Sequence, residues 1–263
     1  MPFAQVNGQK IYFEDSGGAG PAIIFSHGLL MDSSMFAPQV DALKSRYRCI
    51  AWDERGHGQT ATGVCAPFSY YDSADDLAAL LAHLGIEQAV LVGMSQGGYL
   101  SLRCALTHPE TVHALVLIDT QAMTEDPAKM PGYQAMLQDW ASNGLSDKTA
   151  AIIEHIILGD QWPGAAAWRT KWKKTAPADL LQSFQTLGTR DDISAQIGRI
   201  TVPTLVLHGD SDQAIEFPRA KAMADAIPNA QLIVVPGAGH ASNLTHPQAV
   251  NPAIEAFLAA LKS

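Results

Sequence analysis

The sequence is short of cysteine and of long apolar runs. Its three cysteines, Cys49, Cys65 and Cys104, are odd in number and widely spaced. They match no disulfide framework or metal-binding pattern, so we expect small buried hydrophobes. No apolar run approaches the roughly 20 residues of a membrane span. The N-terminus shows no charged segment followed by an apolar one, so we expect no signal peptide. Together these absences favour a cytoplasmic protein.

Basic side chains are also outnumbered. The chain has 17 Lys and Arg against 26 Asp and Glu, a formal net charge of −9. Nucleic-acid binding needs clustered Lys and Arg, so we expect no nucleic-acid partner. The nearest basic cluster is short, and we interpret it as a solvated helix face. It consists of Arg169, Lys171, Lys173 and Lys174.

Patterns for bound metals and cofactors are missing as well. No group of His, Cys and Asp has the spacing of metal ligands. The glycine-rich run at 17–20 precedes a strand and opens no helix, which differs from a phosphate-binding loop. We therefore expect neither a metal nor an organic cofactor.

What the sequence does contain is a series of short apolar runs. With 263 residues, 47% of them hydrophobic, the chain can bury one large core. Runs that are apolar on both faces predict central parallel strands covered by helices. They occupy residues 22–25, 49–52, 89–92, 115–118, 204–207 and 232–235. Residues 5–16 alternate apolar and polar side chains, which predicts an antiparallel hairpin.

The segments between these runs have helical patterns. Four leucines between residues 77 and 84 follow i, i+3, i+4, i+7 spacing. We expect this helix to start at Ser73, with Asp76 three residues on, and to end at Gly85. A last helix has its apolar face between residues 250 and 261, with Pro247 in its first turn. The alternation predicts an α/β fold with a doubly wound, mostly parallel sheet.

One region breaks the alternation. Residues 122–192 contain four of the five tryptophans but no strong strand run. Helical stretches occur there at 133–141, 148–158, 165–174 and 178–188. We interpret this region as a helical cap inserted into a core made of residues 1–121 and 193–263.

The most informative motif is the G-x-S-x-G run at residues 93–97. It lies between an apolar strand and a helical stretch, the context of a nucleophile elbow. Such a turn exposes the hydroxyl of Ser95 at the carboxyl end of the sheet. Ser26 and Ser211 also follow strands but lack the paired glycines. Ser95 is therefore the candidate nucleophile.

A serine nucleophile needs a base and an acid that orients it. His240 lies in a glycine-rich loop after the last strand, and its imidazole can accept the serine proton near neutral pH. Asp212 follows the fifth apolar run and is the candidate acid. Asp210 and Asp119 also follow strands and remain alternatives. The order Ser95, Asp212, His240 is that of an α/β-hydrolase.

An oxyanion hole needs two backbone N–H groups aimed at one point. We expect Gln96 to supply one, because it follows the nucleophile, and Leu29 to supply the other from the loop after the first apolar run. His27 is interpreted as a structural residue that fixes this loop by hydrogen bonds. His57 is expected at the surface.

Five motifs in this order, at 27–28, 53–58, 93–98, 208–212 and 239–240, resemble an α/β-hydrolase-fold serine hydrolase over the whole chain. Residues 29–32 and 209–213 resemble small carboxylesterases related to cofactor-free haloperoxidases, and the elbow is similar to that of 3-oxoadipate enol-lactonases. In those relatives the second Asp of the turn is the acid, which implies Asp212 rather than Asp210. Gln96 departs from the usual Met or Leu, and we expect its side chain near the leaving group.

The methionines and tryptophans near the predicted site and in the cap predict a small to medium, partly apolar ester or lactone as the substrate. Flexible thioethers and aromatic rings line adaptable pockets. Arg169 and Arg190 are considered as clamps for a substrate carboxylate. The alternatives are a carbon–carbon bond hydrolase acting on a ring-cleavage product, a perhydrolase side activity, and a ligand receptor of the same fold. The expected pocket residues are Met31, Met94, Met123, Trp140 and Trp162.

Overall fold

A single sheet organises the molecule. In the computed structural model, which describes residues 2–261, eight strands pair in the order β1-β2-β4-β3-β5-β6-β7-β8. They are β1 Phe3–Val6, β2 Gln9–Asp15, β3 Ala22–Ser26, β4 Arg48–Trp52, β5 Ala89–Met94, β6 Val112–Ile118, β7 Thr204–Gly209 and β8 Ala230–Val235. β1 and β2 form the antiparallel hairpin, β2 also pairs antiparallel with β4, and β3 to β8 run parallel to one another. The predicted doubly wound sheet is confirmed.

Ten α-helices accompany the sheet within the described residues. They are α1 Ala37–Leu43, α2 Tyr70–His83, α3 Gln96–Thr107, α4 Met130–Asn143, α5 Asp147–Leu158, α6 Ala165–Trp172, α7 Pro177–Thr189, α8 Phe217–Ala226, α9 Ser242–Thr245 and α10 Pro247–Ala260. We refer to α4–α7, which lie between β6 and β7 in the chain, as the cap helices. Among residues 2–261 no helix has the length and hydropathy needed to cross a membrane.

The core lies on both faces of the central strands. Every residue of β5 is buried, as an apolar run between two layers of helices requires. β8 differs from the prediction of a central strand, since it is the last strand of the sheet and Ile233 and Val234 are 39% and 41% exposed. Cys49 and Cys104 are buried as expected, whereas Cys65 is only partly buried.

The start of α2 was wrongly predicted. The helix begins at Tyr70, one turn before Ser73, because Ser69 and Asp72 form a capping box. The Asp72 carboxylate accepts the Ser69 N–H at 2.7 Å, which satisfies a donor that the helix itself leaves free. Asp76 instead faces inward and pairs with Arg55 at 2.5 Å.

The basic cluster at the end of α6 is mostly solvent-exposed, as predicted, but its side chains also form ion pairs. Lys171 Nζ lies 2.7 Å from Asp32 of the core and donates to Ser34 Oγ at 2.6 Å. Arg169 pairs with Glu154 of α5, and Lys173 lies 3.6 Å from Asp147. These ion pairs join α6 both to α5 and to the core.

Candidate active site

Ser95 lies on the sharp turn between β5 and α3. Its backbone adopts φ 52° and ψ −115°, a sparsely populated region for a residue with a side chain. The turn is tight enough that a Cβ on Gly93 would clash with the carbonyl of Gly97, and a Cβ on Gly97 with that of Ser26. Glycine is therefore required on both sides of the serine.

Three side chains from distant parts of the sequence form one hydrogen-bonded chain. His240 Nε2 lies 2.9 Å from Ser95 Oγ, although 145 residues separate the two. His240 Nδ1 lies 2.8 Å from Asp212 Oδ2. An ionised Asp212 can only accept, so Nδ1 carries the proton and Nε2 is free to accept the Ser95 hydroxyl proton.

The surroundings of Asp212 keep its carboxylate ionised. Burial favours the neutral acid, but the charge and hydrogen bond of His240 outweigh it, and the pKa of Asp212 is lowered. Its Oδ1 also accepts the N–H groups of Ala214 and Ile215 at 2.8 and 3.0 Å. Asp210, the alternative acid, is exposed and accepts the Gly237 N–H at 2.8 Å.

The pKa of His240 is raised by the neighbouring carboxylate of Asp212. Burial disfavours the charged imidazolium, but the carboxylate of Asp212 more than compensates, so the pKa of His240 is raised above 6.5. A nearby negative charge stabilises the protonated ring by Coulombic attraction.

Asp119, the other alternative acid, supports the loops that position the pair. Its two oxygens accept the N–H groups of Gly209 and Ser242, both at 2.9 Å. Burial and the neighbouring charge of Asp212 raise the pKa of Asp119 to about 7. Asp119 thus connects the loop before Asp212 to the one after His240.

Asp119, His208 and Asp212 are also close enough to offer three ligand atoms to a metal ion. His208 Nε2, however, donates to the Ile215 carbonyl at 2.9 Å. The carboxylate oxygens of both acids already accept the N–H bonds described above. The arrangement therefore fits a hydrogen-bonded support for His240 better than an open metal site.

The two expected oxyanion donors lie on either side of Ser95 in the fold. Gln96 is the first residue of α3, so its N–H is one of the donors that a helix leaves unpaired. Leu29 borders the same cavity as Ser95 and His240. Neither N–H donates a hydrogen bond to another group among residues 2–261.

The side chain of Gln96 does not point towards a leaving group as expected. It is buried, and its amide donates to Glu54 Oε1 at 3.1 Å while it accepts the Tyr70 hydroxyl at 3.2 Å. The expectation that the Gln96 side chain lies near the leaving group was therefore wrong.

The role expected for His27 is confirmed. Its Nδ1 donates to the Gly28 carbonyl at 2.8 Å and its Nε2 accepts the Glu54 N–H at 3.0 Å, which fixes the loop before Leu29. The expectation for His57 was wrong. It is buried against His27, with ring centroids 4.8 Å apart, and burial lowers its pKa to about 3.

An apolar cavity opens beside Ser95 and His240, covered by the cap helices. Aliphatic and aromatic side chains of α4, α5 and α7 form most of its wall. The residues lining it from these helices are Tyr133, Met136, Leu137, Ile153, Ile156, Ile157, Phe184 and Leu187. From the core, Leu29, Leu30, Met94, Ala214 and Ile215 contribute.

Of the five expected pocket residues, Met94 alone lines this cavity. Met31 borders a separate, more polar depression on the other side of Leu30. Trp140 borders another depression, between α4 and α7, and Trp162 packs on the hydrophobic core. Met123 is 37% exposed and does not border the cavity. Only Trp140 of these five lies on a cap helix, and Met31, Met123 and Trp162 lie in connecting segments. Composition could not tell which way these side chains turn.

Sequence reasoning missed Glu125 altogether. This carboxylate borders the cavity and pairs with Arg190 NH1 at 2.8 Å. Arg190, considered as a clamp for a substrate carboxylate, is buried and stacks on the Tyr99 ring, 4.1 Å from its centroid. Arg169 does not border the cavity. The available signal was the position of Glu125 in the loop after β6, at the carboxyl edge of the sheet.

Comparison with known proteins places this geometry in a family. The family described as alpha/beta hydrolase fold matches residues 21–156, and one described as TAP-like protein matches residues 178–262. 3-Oxoadipate enol-lactonase 2 of Acinetobacter baylyi is 28% identical over 251 residues, which cover 90% of this chain and 88% of that protein.

Solved structures agree along the whole chain. The enol-lactonase from Burkholderia xenovorans LB400 has a TM-score of 0.89 at 26% identity, covering 98% of this chain and 100% of that one. A thermophilic esterase from Thermogutta terrifontis has a TM-score of 0.88 at 26% identity, covering 100% of this chain and 98% of that one. The chain therefore belongs to the α/β-hydrolase fold family, and its function class is that of a hydrolase.

Proposed function

We propose that the protein hydrolyses small to medium carboxylic esters or lactones through an acyl-enzyme on Ser95. The observation that carries this proposal is the hydrogen-bonded chain from Ser95 through His240 to Asp212. It opens onto an apolar cavity that can accept an acyl group. A weakly nucleophilic hydroxyl becomes reactive when a neighbouring base can take its proton.

In the proposed reaction, Ser95 Oγ attacks the substrate carbonyl carbon while His240 Nε2 takes the hydroxyl proton. The N–H groups of Leu29 and Gln96 would stabilise the oxyanion. His240 then returns the proton to the leaving alkoxide, and the acyl group remains on Ser95. Water, deprotonated by His240, attacks the acyl-enzyme and releases the acid. Asp212 stays ionised throughout and stabilises the imidazolium.

The cavity wall supports a largely apolar acyl group. No Lys or Arg borders the cavity among the described residues, so a substrate with a free carboxylate would lack a cationic partner. The names of the compared esterase and enol-lactonases support the same reaction class. We also propose the division into a core of residues 1–121 and 193–263 and a cap of residues 122–192. A cytoplasmic location and independence of cofactors stay predictions.

The test is a set of initial rates on p-nitrophenyl esters of graded chain length and on small lactones, with wild type and Ser95→Ala. We expect turnover with a chain-length optimum, and a loss of about 10⁴-fold or more in kcat for Ser95→Ala, because the triad acts as a unit. Ser211→Ala, which removes an exposed hydroxyl bonded to Asp210, is the matched control.

Two results would contradict the proposal. Turnover that persists in Ser95→Ala would reject Ser95 as the nucleophile. A wild type that turns over none of these substrates would favour carbon–carbon bond hydrolysis or ligand reception by the same fold, and a ring-cleavage product would be tested next.

A further inference from the structure

The apolar cavity beside Ser95 and His240 contains one acidic side chain in its wall. Among the described residues that line it, Glu125 is the only acidic or basic side chain apart from His240. It lines the same cavity as Ser95 and His240, and its negative charge is among the causes that raise the pKa of His240. Burial and the charge of Glu125 also raise the pKa of Tyr133, another lining residue.

The two oxygens of Glu125 have different surroundings. Oε1 lies 2.8 Å from Arg190 NH1 and 3.5 Å from the Tyr99 hydroxyl. Oε2 has no hydrogen-bond partner among residues 2–261. The side chain of Glu125 is 11% exposed, and a carboxylate oxygen that has no protein donor is free to accept a hydrogen bond from a ligand.

Arg190 holds the carboxylate in this orientation and does not itself serve the cavity. Its side chain is only 2% exposed. It also donates to the carbonyls of Leu187 and Met123, at 3.0 and 2.8 Å. The guanidinium is therefore buried and bound to protein acceptors, and the cavity receives the carboxylate of Glu125 rather than a cation.

We propose, on the basis of the proposed hydrolysis, that Glu125 determines substrate specificity by accepting a hydrogen bond at Oε2 from the acyl group. The substrate class is an ester or lactone whose acyl chain carries a hydroxyl, amide N–H or ammonium group. Acyl chains that end in a carboxylate are disfavoured, because two carboxylates would face each other in a medium of low polarity.

The substitution Glu125→Gln tests this orientation. Arg190 can only donate, so the Gln carbonyl takes the place of Oε1 and its NH₂ group takes that of Oε2. The group that faces the cavity changes from an acceptor to a donor, with nearly the same shape. Asp126→Asn alters the next carboxylate in the same loop, which does not line the cavity, and is the matched control.

The experiment measures kcat/KM by pH-stat for four methyl esters. Their acyl groups are butanoyl, 3-hydroxypropanoyl, 3-aminopropanoyl and succinyl, which differ at the far end. Relative to butanoyl, we expect wild type to favour the hydroxyl and ammonium esters by about tenfold. The succinyl ester is expected to be about tenfold poorer. In Glu125→Gln the ammonium preference is lost and the succinyl ester gains about tenfold, while Asp126→Asn keeps the wild-type order.

The proposal is overturned if wild type hydrolyses the four esters with ratios within twofold of one another. It is also overturned if a folded Glu125→Gln, verified by its thermal unfolding, keeps the wild-type ratios. If Glu125→Gln does not fold, the wild-type ratios decide by themselves.

Binding of the four corresponding amides to Ser95→Ala, measured by calorimetry, separates this proposal from the proposed reaction. A tenfold preference for 3-hydroxypropanamide over butanamide supports the role of Glu125 even if no ester is hydrolysed. Equal binding in the absence of hydrolysis contradicts it.

Discussion

The indole Nε1 of Trp172 donates to the carbonyl of Leu30 at 2.8 Å. Trp172 belongs to cap helix α6 and is almost fully buried. Leu30 follows the proposed oxyanion donor Leu29 and has a left-handed backbone, with φ 64°. This bond ties a cap helix to the segment that must place an N–H group beside Ser95.

Trp172→Phe should therefore lower kcat more than it raises KM. The indole donor is lost, and a partly buried carbonyl is left without that partner, at a cost of about 1 kcal/mol. The segment that contains Leu29 and Leu30 would become more mobile, and the Leu29 N–H would no longer be held towards the oxyanion. We expect a decrease of roughly tenfold in kcat, smaller than the roughly 10²–10³-fold loss that follows removal of an oxyanion donor. Steady-state kinetics on the best ester would measure it.

Trp168→Phe is the control for this prediction. Trp168 lies on the same helix and is buried, but its indole N–H has no hydrogen-bond partner among residues 2–261. If both variants lose kcat equally, helix packing rather than the Leu30 bond accounts for the effect.

Asp212→Asn should lower kcat by about 10⁴-fold, because an amide beside Nδ1 favours the wrong imidazole tautomer and supplies no charge. Asp210→Asn should change kcat by less than a few-fold, since Asp210 is exposed and contacts neither ring nitrogen. Comparing the two rates distinguishes the adjacent candidates for the acid. Equal losses in both variants would argue against Asp212 as the specific partner of His240.

The pH dependence of kcat/KM should show an acid limb above pH 6.5. His240 acts as a base only when neutral, and its folded pKa is raised. Activity is therefore lost as pH falls through that raised pKa. Rates measured from pH 5 to pH 9 would locate the limb. A profile that is flat down to pH 5 would be incompatible with a histidine base.

Glu54→Gln should stabilise the protein, and the gain should grow with pH. Burial raises the pKa of Glu54 to about 8, above its ordinary 4.5. The folded state thus retains a proton that the unfolded chain releases, so stability falls as pH rises between these values. A neutral Gln can still accept from Gln96 and removes that loss.

We expect no difference in unfolding free energy near pH 4 and a gain on the order of a few kcal/mol near pH 8. Urea unfolding at both pH values measures it. Glu87→Gln, at an exposed carboxylate, should give no such pH-dependent gain. A gain for Glu54→Gln that is the same at both pH values would show that ionisation of Glu54 is not its cause.

Several elements could be predicted because their signals are local. The strand β5 is a continuous apolar run, buried at every position. The elbow follows from paired glycines around Ser95, since their close backbone contacts exclude a Cβ. Pro247 was expected in the first turn of the last helix and begins α10. The start of α2 was wrongly predicted because the prediction used the spacing of the leucines and the pair Ser73 and Asp76, and not the Ser69–Asp72 capping box.

The cavity could not be predicted to the same depth. Met31, Met94 and Met123 have the same chemistry in the sequence, yet only Met94 borders the cavity. Met31 and Met123 lie in connecting segments, and the packing of the surrounding elements decides where those segments run. Gln96 illustrates the same limit, because Glu54 and Tyr70 hold its side chain in the interior.

The sequence by itself determined the order of strands and helices, the turn at Ser95 and the choice of candidates, because periodicity and glycine sterics act over a few residues. Only the tertiary structure decided that Ser95 and His240, 145 residues apart, come within 2.9 Å. The tertiary structure also decided that Glu125, rather than a cation, lines the cavity beside Ser95 and His240. Such pairings depend on how the parallel strands and cap helices pack, and no local pattern encodes them.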